Sequence, residues 1–263
     1  MQVLPSSARV AALAGAAARP VVLEIVAETG STNTDLITRA ATLTQPTLRW
    51  AQHQLAGRGR AGRTWLTNAE GALTFSLAWR LKMPPQALSG LSLAVGVVLA
   101  QQLTAQGVQV QLKWPNDLLR DGAKLAGILI ETVADRRERG AVWAVIGIGL
   151  NLVQGSELSA RLGRAVADIG QPRIDREAWM AALLTGLCEM LTTFEREGFA
   201  PYVQAWRSFD AYAGCEVNIL DQGQVLHHGR AAGVDETGRL LLDTAAGRIA
   251  ITAGDVSLRR AED

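Results

Sequence analysis

Cysteine is scarce in this 263-residue chain: Cys188 and Cys215 are the only two, far apart and without a CxxC. That excludes a disulfide framework and fits a reducing compartment, so a cytoplasmic location is expected. Histidine is nearly as rare, with His53, His227 and His228, no HExxH and no cysteine beside them. No protein-built transition-metal site is expected. Neither charge dominates, at 26 basic against 25 acidic residues. A protein coating bulk nucleic acid would be more basic, so any anion site must be local. Long apolar runs are missing too. The longest, LSLAVGVVLA at 91–100, falls short of the roughly 20 residues that cross a bilayer. The first twenty residues, MQVLPSSARVAALAGAAARP, loosely resemble a signal peptide. Their alanine-rich run is too weakly hydrophobic, and a short helix or tail is expected there.

What is present is a chain rich enough in apolar residues, at 48%, to bury a substantial core. Strand and helix patterns alternate. VVLEIVA (21–27), TLRWAQHQ (47–54), GALTFSLAWR (71–80), VQVQLKW (108–114), KLAGILIE (124–131) and WAVIGIGLNL (143–152) read as strands. Helical patterns follow Ser31 or Thr32 as cap, run over 86–106 to Gly107, and recur near 175–197 and 199–212. After Gly214 the character changes to short strand-like runs separated by turn residues. They predict a small antiparallel barrel that packs on the main domain, being too small for stability alone. The expected units are a tail over 1–20, a main domain over 21–212 and the small barrel over 213–263.

GRGRAGR at 57–63 is the densest motif. Gly57, Gly59 and Gly62 spell G-x-G-x-x-G, the dinucleotide fingerprint. That reading needs a preceding strand, a helix opening on the glycines and an acidic residue about 20 positions on. A strand does precede. The residues after Arg63 lead toward another strand, and after Glu70 the next acidic residue is Asp117. The arginines explain the loop better, because Arg58, Arg60 and Arg63 bring three guanidinium forks suited to phosphate or carboxylate. QLKWPNDLL (111–119) sets Lys113, Asn116 and Asp117 around a proline. Lys124 opens an otherwise apolar strand, and GIGLN ends another in Asn151. Two lysines flanking one turn, in a chain with a triple-arginine loop, point to convergence on an anionic ligand.

In this order STN, Q-x-x-GRGRxGR, KWPND, KLAGIL-E and GIGLN resemble the biotin protein ligases, over about residues 21–263. The resemblance implies an α+β catalytic domain related to class II aminoacyl-tRNA synthetases, followed by a small SH3-like barrel. It implies activation of biotin by ATP as biotinyl-5′-AMP, with Mg2+, and transfer to one lysine of the biotin carboxyl carrier domain of a carboxylase. By match to the motifs, Ser31, Thr32, Asn33 and Gln54 would bind the ureido ring, neutral groups suiting an uncharged urea. Arg58, Gly59 and Arg60 would close over the biotin carboxylate and phosphates, and Arg63 would meet the outgoing phosphates. Lys124 would face the carboxylate or bridging oxygen and Lys113 the α-phosphate region. Asp117 would orient the acceptor lysine or help deprotonate it, or else only cap its turn. Asn116 would assist magnesium or phosphate, Asn151 ribose or adenine, and Arg259 would reach back from the barrel, or else remain a surface charge. No protein metal cage is implied.

Two departures stand out. About 20 residues precede the first catalytic strand, too few for the helix-turn-helix domain of repressing members, so neither specific DNA binding nor repression is expected. The stretch after GIGLN has no aromatic residue on which adenine could stack. A lipoate or octanoate ligase shares the fold, and a nucleic-acid-binding module could use the arginine loop. The first lacks the GRGRxGR and KWPND pair; the second is disfavoured by the near-neutral charge. No membrane association is expected, and a monomer or weak homodimer is.

Overall fold

The computed structural model describes residues 4–67, 71–153, 155–171, 174–221, 223–254 and 256–261. Glu70, the first three residues of the expected tail and the last two of the expected barrel lie outside the described residues. Helix α1 (Ser7–Leu13) starts on the Ser6 side chain, which accepts from the Arg9 amide. Strand β1 (Val22–Thr29) leads into α2 (Thr32–Arg39), then β2 (Thr47–Gln54) and β3 (Ala72–Leu81). A 3-10 turn precedes α3 (Leu91–Ala105), which is followed by β4 (Gln111–Lys113), β5 (Asp117–Arg120), β6 (Ala123–Ala134) and β7 (Val142–Asn151). Next come α4 (Gly155–Leu162), α5 (Arg176–Glu197) and α6 (Val203–Phe209). Five strands end the chain: β8 (Glu216–Asp221), β9 (Gln224–Val234), β10 (Leu240–Thr244), β11 (Gly247–Ile251) and β12 (Val256–Arg260).

The first sheet has seven strands in the order β1-β2-β3-β7-β6-β5-β4. Only β1 and β2 run parallel. Its spine is the β3–β7 ladder, from Ala72 opposite Asn151 to Leu81 opposite Val142. Alternation along that ladder divides the sheet's two faces. Phe75, Leu77, Ile146 and Ile148 join Ile128 and the helices in the main core. Each such fully buried side chain contributes about 1.5–3 kcal/mol. Helix α3 is apolar nearly all round and is buried through most of its length, as a central helix should be. With its preceding turn (Pro85–Ala105) it is long and apolar enough to cross a membrane, but more than half of it is buried inside the fold.

The opposite face carries Ser76, Ala78, Val145, Gly147 and Gly149. Helix α2 covers part of it, packing Leu36 and Ala40 on Ala78, Trp143 and Val145. Arg49 of β2 holds Asp35 of α2 at 2.5 Å and Glu24 of β1 at 3.1 Å, fixing the helix to the sheet. The uncovered half of this face is the floor of the site described below.

The second sheet is antiparallel, in the order β11-β10-β9-β8-β12. Its buried residues Val217, Ile219, Val234, Leu240, Leu242 and Leu258 belong to the same apolar cluster as the first sheet's core. Polar bonds cross the seam: the Trp114 indole donates to the Gly238 carbonyl at 3.1 Å, and Arg207 donates to the Val234 carbonyl at 2.8 Å.

Four elements depart from the sequence reading. The pattern near 199–212 is α-helical only at Val203–Phe209. The 108–114 run forms a strand only at Gln111–Lys113. DLLR forms β5, returning directly beside β4. GSELSARL, for which the sequence pattern gives no element, is α4.

Candidate active site

Three segments converge on the uncovered face: the start of α2, the loop after β2, and the middle of β6. They enclose an open cleft with both polar and apolar lining, the form in which small-molecule sites are usually built. Ser31, Thr32, Asn33, Gln54, Arg58, Gly59, Arg60, Asn116 and Lys124 all line it.

Helix α2 begins here because Ser31 is extended and its hydroxyl caps the helix by accepting from the Thr34 amide. Ser31, Thr32, Asn33 and Gln54 are all buried, and buried polar groups must be hydrogen-bonded. Gln54 Oε1 accepts from the Thr32 amide at 2.8 Å and from its hydroxyl at 3.0 Å. The Thr32 hydroxyl lies 2.7 Å from Ser76 Oγ, which donates to Asn33 Oδ1 at 2.6 Å. Asn33 Nδ2 donates to Glu131 at 2.9 Å. The result is a pre-arranged wall of neutral donors and acceptors.

The glycine–arginine loop is a closed hairpin rather than a Rossmann turn. Trp65 N donates to Gly57 O at 2.8 Å and Gly59 N to Arg63 O at 2.7 Å. The chain reverses through Ala61 (φ 51°) and Gly62 (φ 68°). No α-helix follows: a 3-10 turn at Arg60–Gly62 is succeeded by β3. Gly57 is required here, since a Cβ would stand 2.4 Å from the Trp65 carbonyl oxygen.

The charged side chains form the cleft's rim. Arg58 donates to Glu131 at 2.7 Å and to Thr34 Oγ1 at 3.3 Å. Arg60 donates to Asn116 Oδ1 at 3.0 Å and to the Gly254 carbonyl. Lys124 Nζ lies 2.5 Å from Asp117 Oδ1 and 5.7 Å from the centre of the Trp65 ring. Two carboxylates thus accompany three cations, and an arriving anion must take partners from existing pairs.

Asn151 lines a smaller neighbouring hollow with Trp65, Lys124, Leu158, Leu162 and Arg164. Its amide donates to the Ala167 carbonyl at 3.1 Å. Lys113 and Asp117 line a smaller hollow on the far side of Asn116, with Lys113 5.4 Å from the Tyr212 ring centre. Arg63 is exposed and outside all three linings. Arg259 is also exposed, on β12 opposite Asn218; Gly254, in the connection between β11 and β12, is the Arg60 partner from this part of the chain. Among the described residues, no group of three His, Cys, Asp or Glu could hold a metal.

Sequence reasoning missed Trp65, Ser76 and Glu131. The GIGLN glycines carry a further role that the motif alone does not show. They make room for side chains: a Cβ on Gly147 would meet Asn33 Oδ1 at 2.4 Å, and one on Gly149 would meet the Trp65 indole at 2.3 Å. The strand pairing that places these glycines opposite α2 and the loop has no signal in one sequence.

The chain matches the biotin/lipoate A/B protein ligase family over residues 25–151 and the biotin protein ligase C terminal domain over residues 213–259. It is similar to the bifunctional ligase/repressor BirA of Escherichia coli, 35% identical over 235 residues, covering 88% of this chain and 72% of that protein. Similarity to the biotin–[acetyl-CoA-carboxylase] ligase of Mycobacterium tuberculosis is 34% over 242 residues, covering 89% of this chain and 88% of that one. Among solved structures, the biotin protein ligase from Aquifex aeolicus in complex with biotin and ATP gives a TM-score of 0.76 at 28% identity, covering 91% of this chain and 99% of that one.

Proposed function

The chain belongs to the biotin protein ligase family and is an enzyme, and on that premise we propose that it makes biotinyl-5′-AMP from biotin and ATP and passes the biotinyl group to one lysine of a biotin carboxyl carrier domain. The observation that carries this is the division of one cleft into a neutral hydrogen-bonding wall and a cationic rim. Biotin has the same division: an uncharged ureido ring at one end and a carboxylate at the other.

In the first step a carboxylate oxygen attacks the α-phosphorus, and the bond to the β-phosphate bridging oxygen breaks, releasing pyrophosphate. Two anions meet, so fixed positive charge that strengthens its contacts in the transition state lowers the barrier. Ser31, Thr32, Asn33 and Gln54 would hold the ureido ring. Gly59 and Arg60 would close over the carboxylate and phosphates, with Arg58 beside them on the same loop and Arg63 on the departing pyrophosphate. Lys124 would exchange its Asp117 partner for the reacting oxygens. Asp117, so released, would receive and orient the acceptor lysine, whose amine attacks the acyl carbon and expels AMP. Lys113 would support the α-phosphate region across its hairpin, Asn116 the phosphates, and Arg259 the same region from the second sheet.

The adenine would occupy the cavity between Trp65 and α4, beside Asn151. The aromatic surface missing from the 152–170 stretch would then come from the loop, with Leu158 and Leu162 on the other side. Magnesium, which would supply counter-charge to the triphosphate, would arrive on the nucleotide rather than in a protein cage.

At the finer level of fold, the antiparallel β3-β7-β6 core backed by α3 supports kinship with class II aminoacyl-tRNA synthetases. The five-stranded unit from about residue 213 supports an SH3-like barrel. Purified protein should exchange labelled pyrophosphate into ATP when biotin is present and not when lipoate replaces it. Exchange with lipoate alone would keep the fold and overturn the substrate.

A further inference from the structure

Glu131 is out of place by charge. It stands on β6 just behind the lining of a cleft meant for anions, bonded to two of the lining residues. Both of its oxygens are engaged. One takes Arg58 Nη2 at 2.7 Å, the other Asn33 Nδ2 at 2.9 Å. Arg58 also reaches Thr34 Oγ1 on α2 at 3.3 Å. Through Asn33, Ser76 and Thr32 the chain of bonds continues without a break to Gln54. One carboxylate therefore joins the loop's first arginine to every side chain of the neutral wall except Ser31. Arg60 and Lys124 lie on the other side of the cleft, with Asn116 and Asp117.

We propose that Arg58 and Glu131 form the clamp that shuts the loop over the ureido end of the cleft. Glu131 is then a positioning residue for Asn33 and Arg58, and the first arginine of the motif is held for loop closure rather than for phosphate. This rests on the biotin-ligase reading of the cleft and deepens it by dividing the labour among the arginines. A charge-assisted pair, half-buried on one side, holds the loop while leaving it able to open. A purely neutral wall would offer Arg58 no comparable anchor.

The test is a double-mutant cycle with Arg58→Gln, Glu131→Gln and both together. The readouts are the KM for biotin, the KM for ATP and the rate at which preformed biotinyl-AMP leaves the enzyme. Each single change should raise the biotin KM and the release rate about fivefold, and the double variant should be no worse than either single, because one pair is lost in all three. The ATP KM should stay unchanged. Arg58→Lys, which keeps the charge, should recover part of the loss.

If Arg58 serves the phosphates instead, Arg58→Gln raises the ATP KM, and Glu131→Gln lowers it by releasing a competitor; that sign overturns the clamp. Multiplying single effects overturn it too. A role in stability alone would move both KM values together with the thermal midpoint, and Arg58, lying on an exposed loop, can be changed without touching the core. Wild-type exchange with biotin separates the two failures: its absence sinks the functional reading and the clamp together, whereas its presence with independent single effects sinks only the clamp.

Discussion

Lys124 shows how much one side chain depends on local backbone. Strict alternation along KLAGILIE would put Lys124 on the core face with Ala126 and Ile128. The register instead shifts between Leu118 and Leu119, so Leu125 and Ala126 are both fully buried and Lys124 turns to the cleft beside Gly127. A β-bulge re-aims a side chain in this way. The motif named the lysine; the bulge, which depends on a partner strand, was not readable from it. Lys124→Ala should cut biotin-dependent pyrophosphate exchange by about 10²–10³, the scale of losing one preorganised electrostatic contact. Stability should fall by no more than about 1 kcal/mol, since Lys124 and Asp117 both keep contact with solvent. Unchanged exchange in the folded variant would remove Lys124 from the chemistry.

Among the elements, the long patterned ones were legible. TLRWAQHQ is β2 residue for residue, and the β7 and α5 bounds shift by one residue at each misplaced end. The short ones were not. Strand β5 hides after a proline turn because four residues give no period, and α4 is eight residues of mixed polarity. Also unread was the anchoring of the β6–β7 hairpin. Asp135 accepts from the Arg137 amide at 2.9 Å and from the side chains of Arg80 on β3 and Arg137, and these bonds hold its carboxyl down at about 2. Glu138 is lowered as well, first by Arg80. A carboxyl whose folded value is depressed adds stability above its unfolded value, near 4, and loses it as pH falls through the folded one. The urea midpoint should therefore drop as the medium is acidified from about pH 4 toward about pH 2. Asp135→Asn should start lower at neutral pH and decline less steeply over that window. An acid limb identical to wild type would show that Asp135 is not held down in solution.

At the scale of the whole molecule, the two sheets share one apolar core. The sequence foretold a small C-terminal unit from its turn spacing and its docking from its size. It did not foretell that the docking surface includes the KWPND segment itself, whose Trp114 is buried and bonded to Gly238. With that seam apolar inside and bonded across, the sheets should unfold as one cooperative unit. Calorimetry should give a single transition, and biotin at a hundredfold excess over its dissociation constant should raise the whole of it, by about 2.7 kcal/mol in stability. Trp114→Phe removes one cross-seam hydrogen bond and leaves a buried carbonyl without that donor, a cost of about 1–3 kcal/mol. It should lower the midpoint by several degrees while keeping the transition single. Two transitions in the wild type, with biotin moving only one of them, would mean that the sheets fold independently. The Arg60–Gly254 contact could then not hold the loop and the second sheet in register during catalysis. A single ligand-shifted transition would make the second sheet part of the active-site scaffold, and its removal should abolish exchange even though Lys124, Asp117 and the neutral wall all lie in the first.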